Sequence, residues 1–154
     1  PRCTLQMMPE QVSNSISPGL IITAPLSAAR YIQADEQWLI TRKNIDKPAP
    51  GIIWVPELAP SQSLFNRYMD EWRGTSQKYW PIYVDRFNEE LKTEEKLKAL
   101  RRLWRLIAQG KTIALLCYCQ RPENCHRPLV GEFLKAHGAN VQEYVPLQGG
   151  LFDI

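Results

Sequence analysis

The fold is decided by Thr112-Ile-Ala-Leu-Leu-Cys-Tyr-Cys119, an apolar run that continues as Gln120-Arg-Pro-Glu-Asn124 and Cys125-His-Arg-Pro128. Apolar residues on both faces of the run are typical of a central strand in a parallel sheet. A helical pattern follows it, and Val141-Gln-Glu-Tyr-Val145 is a second apolar strand. Strand, helix and strand at this spacing predict a right-handed βαβ unit. The sequence therefore indicates an α/β protein.

Shorter patterns upstream predict the remaining elements. Strands are expected at Gly19–Thr23, Trp38–Thr41 and Ile52–Val55, which are rich in β-branched or aromatic residues. Helices are expected from Ser61 to Gly74, from near Pro81 to Leu91, and from Thr93 to Gly110. We predict an irregular segment over 1–18, one three-layer α/β domain with a mostly parallel sheet over 19–146, and a mobile tail over 147–154.

Length and composition limit the class of protein. The chain has 154 residues, enough for one core, and is 44% hydrophobic and 23% charged, as globular proteins are. No run approaches the roughly 20 apolar residues that span a bilayer. Pro1–Pro9 lacks the apolar centre of a signal peptide. We therefore expect a cytoplasmic protein with reduced thiols and no membrane partner. The net charge of +3 permits contact with nucleic acid without implying it.

The strongest functional signal is a cluster over residues 117–127. It holds three of the four cysteines, one of the two histidines and two arginines. The pattern puts these residues where a parallel strand ends and a helix begins. That edge of an α/β sheet is the usual ligand site, and the free N–H groups of a helix start attract anions.

An anion-binding pocket is the first interpretation. Arg42, Arg121 and Arg127 would hold a phosphate, and Thr23 and Ser27 would line the same edge. A cysteine in this positive field would have a lowered pKa, which makes Cys117 and Cys125 thiolate candidates and His126 the acid/base candidate. The predicted ligand is a phosphate-bearing small molecule, a nucleotide or a nucleic-acid end, with no cofactor. A thiol-dependent enzyme of nucleotide or DNA metabolism would follow.

Two alternatives remain open for the same cluster. Cys117, Cys119, Cys125 and His126 offer four zinc ligands, although the Cys-x-Cys spacing is tighter than that of usual zinc pairs. The other alternative is structural: cysteines are often buried, and Arg127 would pair with Glu123 or Glu132.

Residues 114–130 also resemble a known signature, that of the family called domain of unknown function 488. In that family a hydrophobic strand ends in a cysteine, and Cys-His-Arg opens a helix after a short loop; here these are Cys117 and Cys125-His-Arg127. Ile21–Thr23, Trp38–Arg42, Glu57–Ser61 and Tyr83–Leu91 resemble other parts of the family pattern in the same order, over roughly 19–136. The chain departs from the family at Cys119, where relatives often carry an acidic residue. The resemblance implies a compact α/β fold and no established reaction.

The carboxyl-terminal tail suggests a partner. Gln148-Gly-Gly-Leu-Phe152 resembles the short peptide with which replication and repair proteins bind the bacterial sliding clamp. Gln148, Leu151 and Phe152 would make the contact, with the two apolar side chains in an apolar pocket. This interpretation favours a non-enzymatic module that binds protein or nucleic acid. Alternatively, Leu151 and Phe152 fold back onto the domain.

Overall fold

The sheet has five strands that all run parallel. The computed structural model describes residues 19–46 and 50–146, and the strand order is β3-β2-β4-β1-β5. The single α/β domain and its parallel sheet are confirmed. The strands are β1 (Leu20–Pro25), β2 (Glu36–Leu39), β3 (Ile52–Trp54), β4 (Thr112–Cys117) and β5 (Asn140–Glu143).

In the described part of the chain, four α-helices connect these strands, and shorter helical turns supplement them. The α-helices are α1 (Gln62–Arg67), α2 (Ser76–Glu90), α3 (Glu94–Ala108) and α4 (Arg127–Ala136). A π-helical turn (Tyr68–Trp72) and a 3₁₀ turn (Arg73–Thr75) join α1 to α2, and further 3₁₀ turns cover Leu26–Tyr31 and Pro56–Leu58. Ser61 caps α1 as predicted, because its hydroxyl accepts from the N–H of Leu64 at 3.2 Å.

The α-helices pack on one face of the sheet, and a 3₁₀ turn packs on the other. The chain steps from β1 to β2 to β3 in one direction across the sheet, and then to β4 and β5 in the other. Because crossovers keep one hand, opposite steps place their connections on opposite faces. Ile113 and Leu115 belong to the core that includes residues of the four α-helices, whereas Ala114 and Leu116 pack with Ala28 of the 3₁₀ turn at Leu26–Tyr31.

Two element boundaries correct the sequence prediction. β4 ends at Cys117 instead of Cys119, so the last cysteine of the run stands beyond the strand. The second predicted helix, α2, begins at Ser76, and Pro81 lies inside it. A proline there removes one hydrogen bond to the carbonyl of Gln77, an exposed residue whose oxygen water can reach.

Some predictions fall outside the described residues. The segment over 1–18, Cys3 and the tail with Gln148, Leu151 and Phe152 are among them. Within the described part of the chain, no helix combines the length and the apolar composition that a membrane span requires.

Candidate functional site

The crevice between the carboxyl ends of β1 and β4 is where a ligand site is expected. These neighbouring strands continue into connections on opposite faces of the sheet, which leaves a gap between them. A cleft of about 550 Å³ opens there, within the usual range for small-molecule sites. Its wall comes from the 3₁₀ turn after β1, the loop after β4 and the end of β5: Pro25, Ser27, Ala28, Tyr31, Gln120, Arg121, Pro122, Glu123, Glu143, Tyr144, Val145 and Pro146.

Three cysteines meet next to this cleft. The Sγ atoms of Cys117, Cys119 and Cys125 lie within 4.8 Å of one another, and those of Cys117 and Cys125 are 2.8 Å apart. All three are free. Cys117 and Cys125 are 1% and 2% exposed, whereas Cys119 is exposed. Cys119 is therefore the thiol within reach of a dissolved reactant, and it directly precedes Gln120 of the cleft wall.

A tight turn brings Cys125 back to Cys117. The N–H of Cys125 donates to the carbonyl of Pro122 at 3.2 Å, and Asn124 has φ +59°. This left-handed conformation is one that asparagine adopts more readily than most residues. The local sequence Pro122-Glu-Asn-Cys125 thus determines the position of the second buried thiol.

Arg127 is the central cation of the site and is completely buried. Its Nη1 donates to Cys117 Sγ at 3.0 Å and to the carbonyl of Cys119 at 2.6 Å, and its Nη2 forms an ion pair with Glu143 at 2.7 Å. Thr23 donates to the other oxygen of that carboxylate at 2.6 Å. Because these partners occupy the guanidinium, Arg127 organises the site instead of presenting a free charge to a ligand. The pairing with Glu123 or Glu132 was wrong, since the acidic partner comes from β5.

His126 is held by the neighbouring strand. Its Nε2 lies 2.5 Å from the carbonyl oxygen of Ile40, just after β2, and its ring packs edge-on against Phe87 at 5.7 Å between centroids. Only a protonated Nε2 can donate to that carbonyl, which leaves Nδ1 as the unprotonated nitrogen of the neutral ring. Burial lowers the pKa of His126 to about 4. The ring is therefore neutral at pH 7, and another group must stabilise a thiolate nearby.

The pKa values of the three thiols are shifted in different directions. Hydrogen bonding with Cys117 and Cys125 lowers the pKa of Cys119, and the charge of Arg127 acts in the same direction. Hydrogen bonding to Cys119 raises the pKa of Cys117, and hydrogen bonding to both neighbours raises that of Cys125. Two buried thiols that donate to a third favour one thiolate in the cluster and oppose a second. The thiolate belongs on the exposed member.

Two tyrosines of the helical face, one in the α1–α2 connection and one in α2, have pKa values that burial raises. Burial raises the pKa of Tyr68, and the thiolate charge of Cys119 adds to the effect. Burial also raises the pKa of Tyr83. The rings of Tyr68 and Tyr83 meet edge to face at 5.5 Å. Tyr68 opens the π-helical turn, a local irregularity that is frequent at functional sites.

The remaining predicted residues lie in three places. Ser27 lies in the cleft wall, where its hydroxyl donates to Gln120 Oε1 at 3.0 Å, and the exposed Arg121 is in the same wall. Thr23 is buried behind Glu143. Arg42 lies in a different cavity, of about 520 Å³, and donates to the carbonyl of Pro60 at 3.1 Å. The structure therefore does not bring Arg42 together with Arg121.

The predicted zinc ligands are partly assembled. The three cysteine sulfurs are close enough to share one ion, and Arg127 donates to one of them, as groups around metal thiolates often do. His126 is not a member of this group: its Nε2 is occupied by the carbonyl of Ile40. A soft cation such as zinc would therefore find three sulfur ligands and an open position here.

Sequence reasoning missed Glu143 and undervalued Cys119. Glu143 is the last residue of β5, beside Thr23 of β1, so the alignment of strand ends in a parallel sheet was the signal that could have found it. Cys119 was considered only as a metal ligand, because the strand was extended through it. Tyr31, Tyr144 and Gln120 of the cleft wall carried no sequence signal of their own.

Comparison with known families identifies the family of this chain. The model of a family described as the active DUF488-N3 subclade matches residues 27–138. The chain belongs to the DUF488 family. The match contains the whole cysteine cluster and most of the helical face, and it ends before β5, which supplies Glu143. No curated protein and no solved structure matches the chain.

Proposed function

We propose that this DUF488 protein is a thiol-dependent enzyme in which the thiolate of Cys119 attacks a nucleotide-like substrate bound in the adjoining cleft. The observation that carries the proposal is the arrangement of one exposed and two buried thiols around the buried guanidinium of Arg127. The family description calls the matching subclade active, which is consistent with chemistry at this site.

The nucleophile is supported by access and charge together. The thiolate is the reactive form of cysteine, and a lowered pKa makes it abundant near neutral pH. The sulfurs of Cys117 and Cys125 lie within 4.8 Å of that of Cys119 and lower its pKa, and Arg127 places its positive charge in the same cluster. Because His126 is neutral at pH 7, it orients the loop through Ile40 and leaves stabilisation of the thiolate to the thiols and Arg127.

The substrate class follows from the cleft wall. Tyr31 is 67% exposed, and Tyr144 is partly buried in the same wall, so a planar ring can stack against either side chain. Arg121 is exposed and supplies a donor fork for a phosphate. Glu143 is neutralised by Arg127, so it does not oppose an anion as an unpaired carboxylate would. A base and a phosphate on one small molecule satisfy both features.

Alkylation kinetics test the nucleophile. In a Cys3→Ser background, we expect iodoacetamide to modify Cys119 with a pH midpoint well below the ordinary thiol value of about 8.5. Cys119→Ser should abolish this reaction and leave only slow modification of the buried thiols. A midpoint near 8.5, or a fast reaction that survives Cys119→Ser, would refute the proposal.

Binding measurements test the substrate class. Adenosine monophosphate and inorganic phosphate are the probes, titrated by calorimetry. We expect Arg121→Gln to weaken nucleotide binding by about tenfold, the loss of one charge-assisted contact. Arg105→Gln, an exposed arginine on α3, is the matched control and should bind as the parent does. Equal affinity in both variants would exclude Arg121 as the phosphate ligand.

A thiophilic metal centre is a second candidate, favoured by the mutual distances of the three sulfurs. Cadmium titration followed by the thiolate charge-transfer absorbance tests it. Stoichiometric binding that is lost in Cys119→Ser would support three-sulfur ligation. If the absorbance of the parent protein were no stronger than that of Cys119→Ser, the metal centre would be eliminated.

A further inference from the structure

The geometry points to a second reaction of the cysteine cluster: Cys119 reduces a hydroperoxide, and the oxidation is passed inward to leave a Cys117–Cys125 disulfide. The inference rests on the reactive Cys119 of the proposed function and adds a co-reactant and a regulated state. It depends on one of the three thiols being exposed and the other two being buried, with the sulfurs of the buried pair 2.8 Å apart.

The first step takes place at the exposed sulfur. The thiolate of Cys119 attacks the distal oxygen of a hydroperoxide, the O–O bond breaks, and the alkoxide leaves and takes a proton to become an alcohol. Cys119 is left as a sulfenic acid. Of the three clustered cysteines, Cys119 alone is exposed, so it meets the peroxide first.

The second step closes a disulfide inside the cluster. All three sulfurs lie within 4.8 Å of one another, so the sulfur of Cys125 can attack that of Cys119; a Cys119–Cys125 bond forms and hydroxide leaves as water with the thiol proton. Nearby thiols that resolve a sulfenic acid protect it from further oxidation. The two electrons taken up by the peroxide are now supplied by two cysteines.

The third step moves the bond into the interior. Arg127 donates to Cys117 at 3.0 Å and to Cys125 at 3.9 Å, so its guanidinium favours a thiolate on Cys117. Cys117 attacks Cys125, from which it is separated by only 2.8 Å, and Cys119 leaves as a thiolate. The sum is one hydroperoxide and two thiols giving one alcohol, one water and one disulfide.

This final state changes the surroundings of the nucleophile without consuming it. Cys119 is again a free thiol, but the two thiols within 4.8 Å of it are now joined as a disulfide. The oxidised and reduced proteins therefore differ in the groups that surround Cys119, and a dithiol reductant would restore the original cluster.

Peptide mapping tests the relay in the full chain carrying Cys3→Ser. The protein receives one equivalent of hydrogen peroxide at pH 7, is alkylated under denaturing conditions, and is cleaved after glutamate. Cleavage after Glu123 separates Cys125 from the other two cysteines, whereas Arg121 and Arg127 precede prolines and resist trypsin. We expect the peptides of Cys117 and Cys125 to be joined and Cys119 to be alkylated.

A single exposed substitution supplies the control. Cys119→Ser leaves the buried pair intact and should slow disulfide formation by at least about tenfold, because the buried thiols lack access to the oxidant. Formation of the Cys117–Cys125 bond at the parental rate in this variant would overturn the relay. Sulfinic acid on Cys119 with both buried cysteines alkylated would overturn it as well.

The failure of this inference is distinguishable from the failure of the proposed function. Alkylation of Cys119 without peroxide tests the nucleophile alone. A reactive Cys119 that yields no internal disulfide refutes the relay and leaves the enzyme proposal standing. An unreactive Cys119 refutes both.

Discussion

The guanidinium of Arg127 connects the thiol of Cys117 to the carboxylate of Glu143, with N–H donors 3.0 Å from the sulfur and 2.7 Å from the oxygen. The contact spans α4, β4 and β5. A buried arginine between a thiol and a carboxylate stabilises negative charge on either side of it. The cysteine cluster and the last strand are therefore parts of one electrostatic unit.

Removal of this arginine should be costly. We expect Arg127→Met to lower the free energy of unfolding by about 3–5 kcal/mol, because it leaves the Glu143 carboxylate without its counter-charge and the Cys119 carbonyl without its donor. In the double variant Arg127→Met/Glu143→Gln, the loss of unfolding free energy should be smaller than the sum of the losses in the two single variants. The amide of glutamine is neutral, so removal of Arg127 leaves no unpaired charge at residue 143. Arg121→Met, on the exposed wall, is the control and should stay within about 0.5 kcal/mol of the parent. Urea unfolding measures the stability of Arg127→Met, Glu143→Gln, the double variant and the control. Strictly additive losses would contradict the coupling between Arg127 and Glu143.

The low pKa of His126 makes stability depend on pH. The native ring has a pKa of about 4 and the unfolded one has the ordinary value near 6.5, so the unfolded chain binds the extra proton between these values. The contribution is complete above pH 6.5 and is lost as pH falls towards 4, which amounts to about 2 kcal/mol between pH 7.5 and pH 5. His126→Gln keeps a donor for the carbonyl of Ile40 and does not titrate. Its loss over the same pH interval should be correspondingly smaller, and an equal loss would show that other groups carry the dependence.

The turn at Asn124 should tolerate glycine better than alanine. Both substitutions remove the amide side chain, so the difference between them reports the left-handed backbone. Alanine has a Cβ that disfavours this conformation, and we expect Asn124→Ala to be less stable than Asn124→Gly by roughly 1 kcal/mol. Calorimetric unfolding measures the difference. Equal stability would mean that the turn relaxes, and the reactivity of Cys119 in each variant would show whether the cluster relaxes with it.

Gly19 should accept no side chain. A Cβ there would fall against the carbonyl oxygen of Lys111 and 2.6 Å from Cα of Ile107, at the point where β1 enters the sheet. Since both obstacles are backbone, Gly19→Ala should destabilise the protein by about 3 kcal/mol or more. Gly74→Ala is the matched control, because nothing lies within 4 Å of the corresponding Cβ. Thermal unfolding that shifts equally in the two variants would argue against the close approach.

The tail motif is tested by deletion. If Gln148, Leu151 and Phe152 bind the bacterial sliding clamp, removal of residues 148–154 should abolish binding in surface plasmon resonance. Leu151→Ala/Phe152→Ala in the full chain should have the same effect, whereas Asp153→Ala should not. Equal binding with and without the tail, or no binding by the intact chain, would end this proposal.

Most of the fold followed from the periodicity of apolar residues. The neighbourhood of the site followed from the rule that ligands bind at the carboxyl ends of parallel strands. The βαβ unit around residues 112–145 was readable because central parallel strands are apolar on both faces. The start of α2 could not be read from the sequence. The composition of residues 73–80 does not distinguish a helix that starts before Pro81 from one that starts at Pro81.

The details of the site depended on contacts distant in sequence. Arg127 was assigned a neighbour on its own helix or loop, yet its partner is 16 residues away on β5. Lys96 belongs to the basic pattern of α3, but it is 4% exposed and donates to the carbonyls of Glu57 and Ala59. In both cases tertiary packing supplied a partner that no local pattern encodes.

The position of Glu143 near the end of the chain also affects when the site is completed during synthesis. During synthesis the ribosome delivers all three clustered cysteines and Arg127 before residues 140–143 appear. Until β5 docks against β1, the guanidinium lacks its counter-charge and the segment after β4 lacks its anchor. A nascent or truncated chain that stops before residue 140 would carry all three clustered cysteines but would lack the partner of Arg127, so the cluster is completed only when the last strand is added.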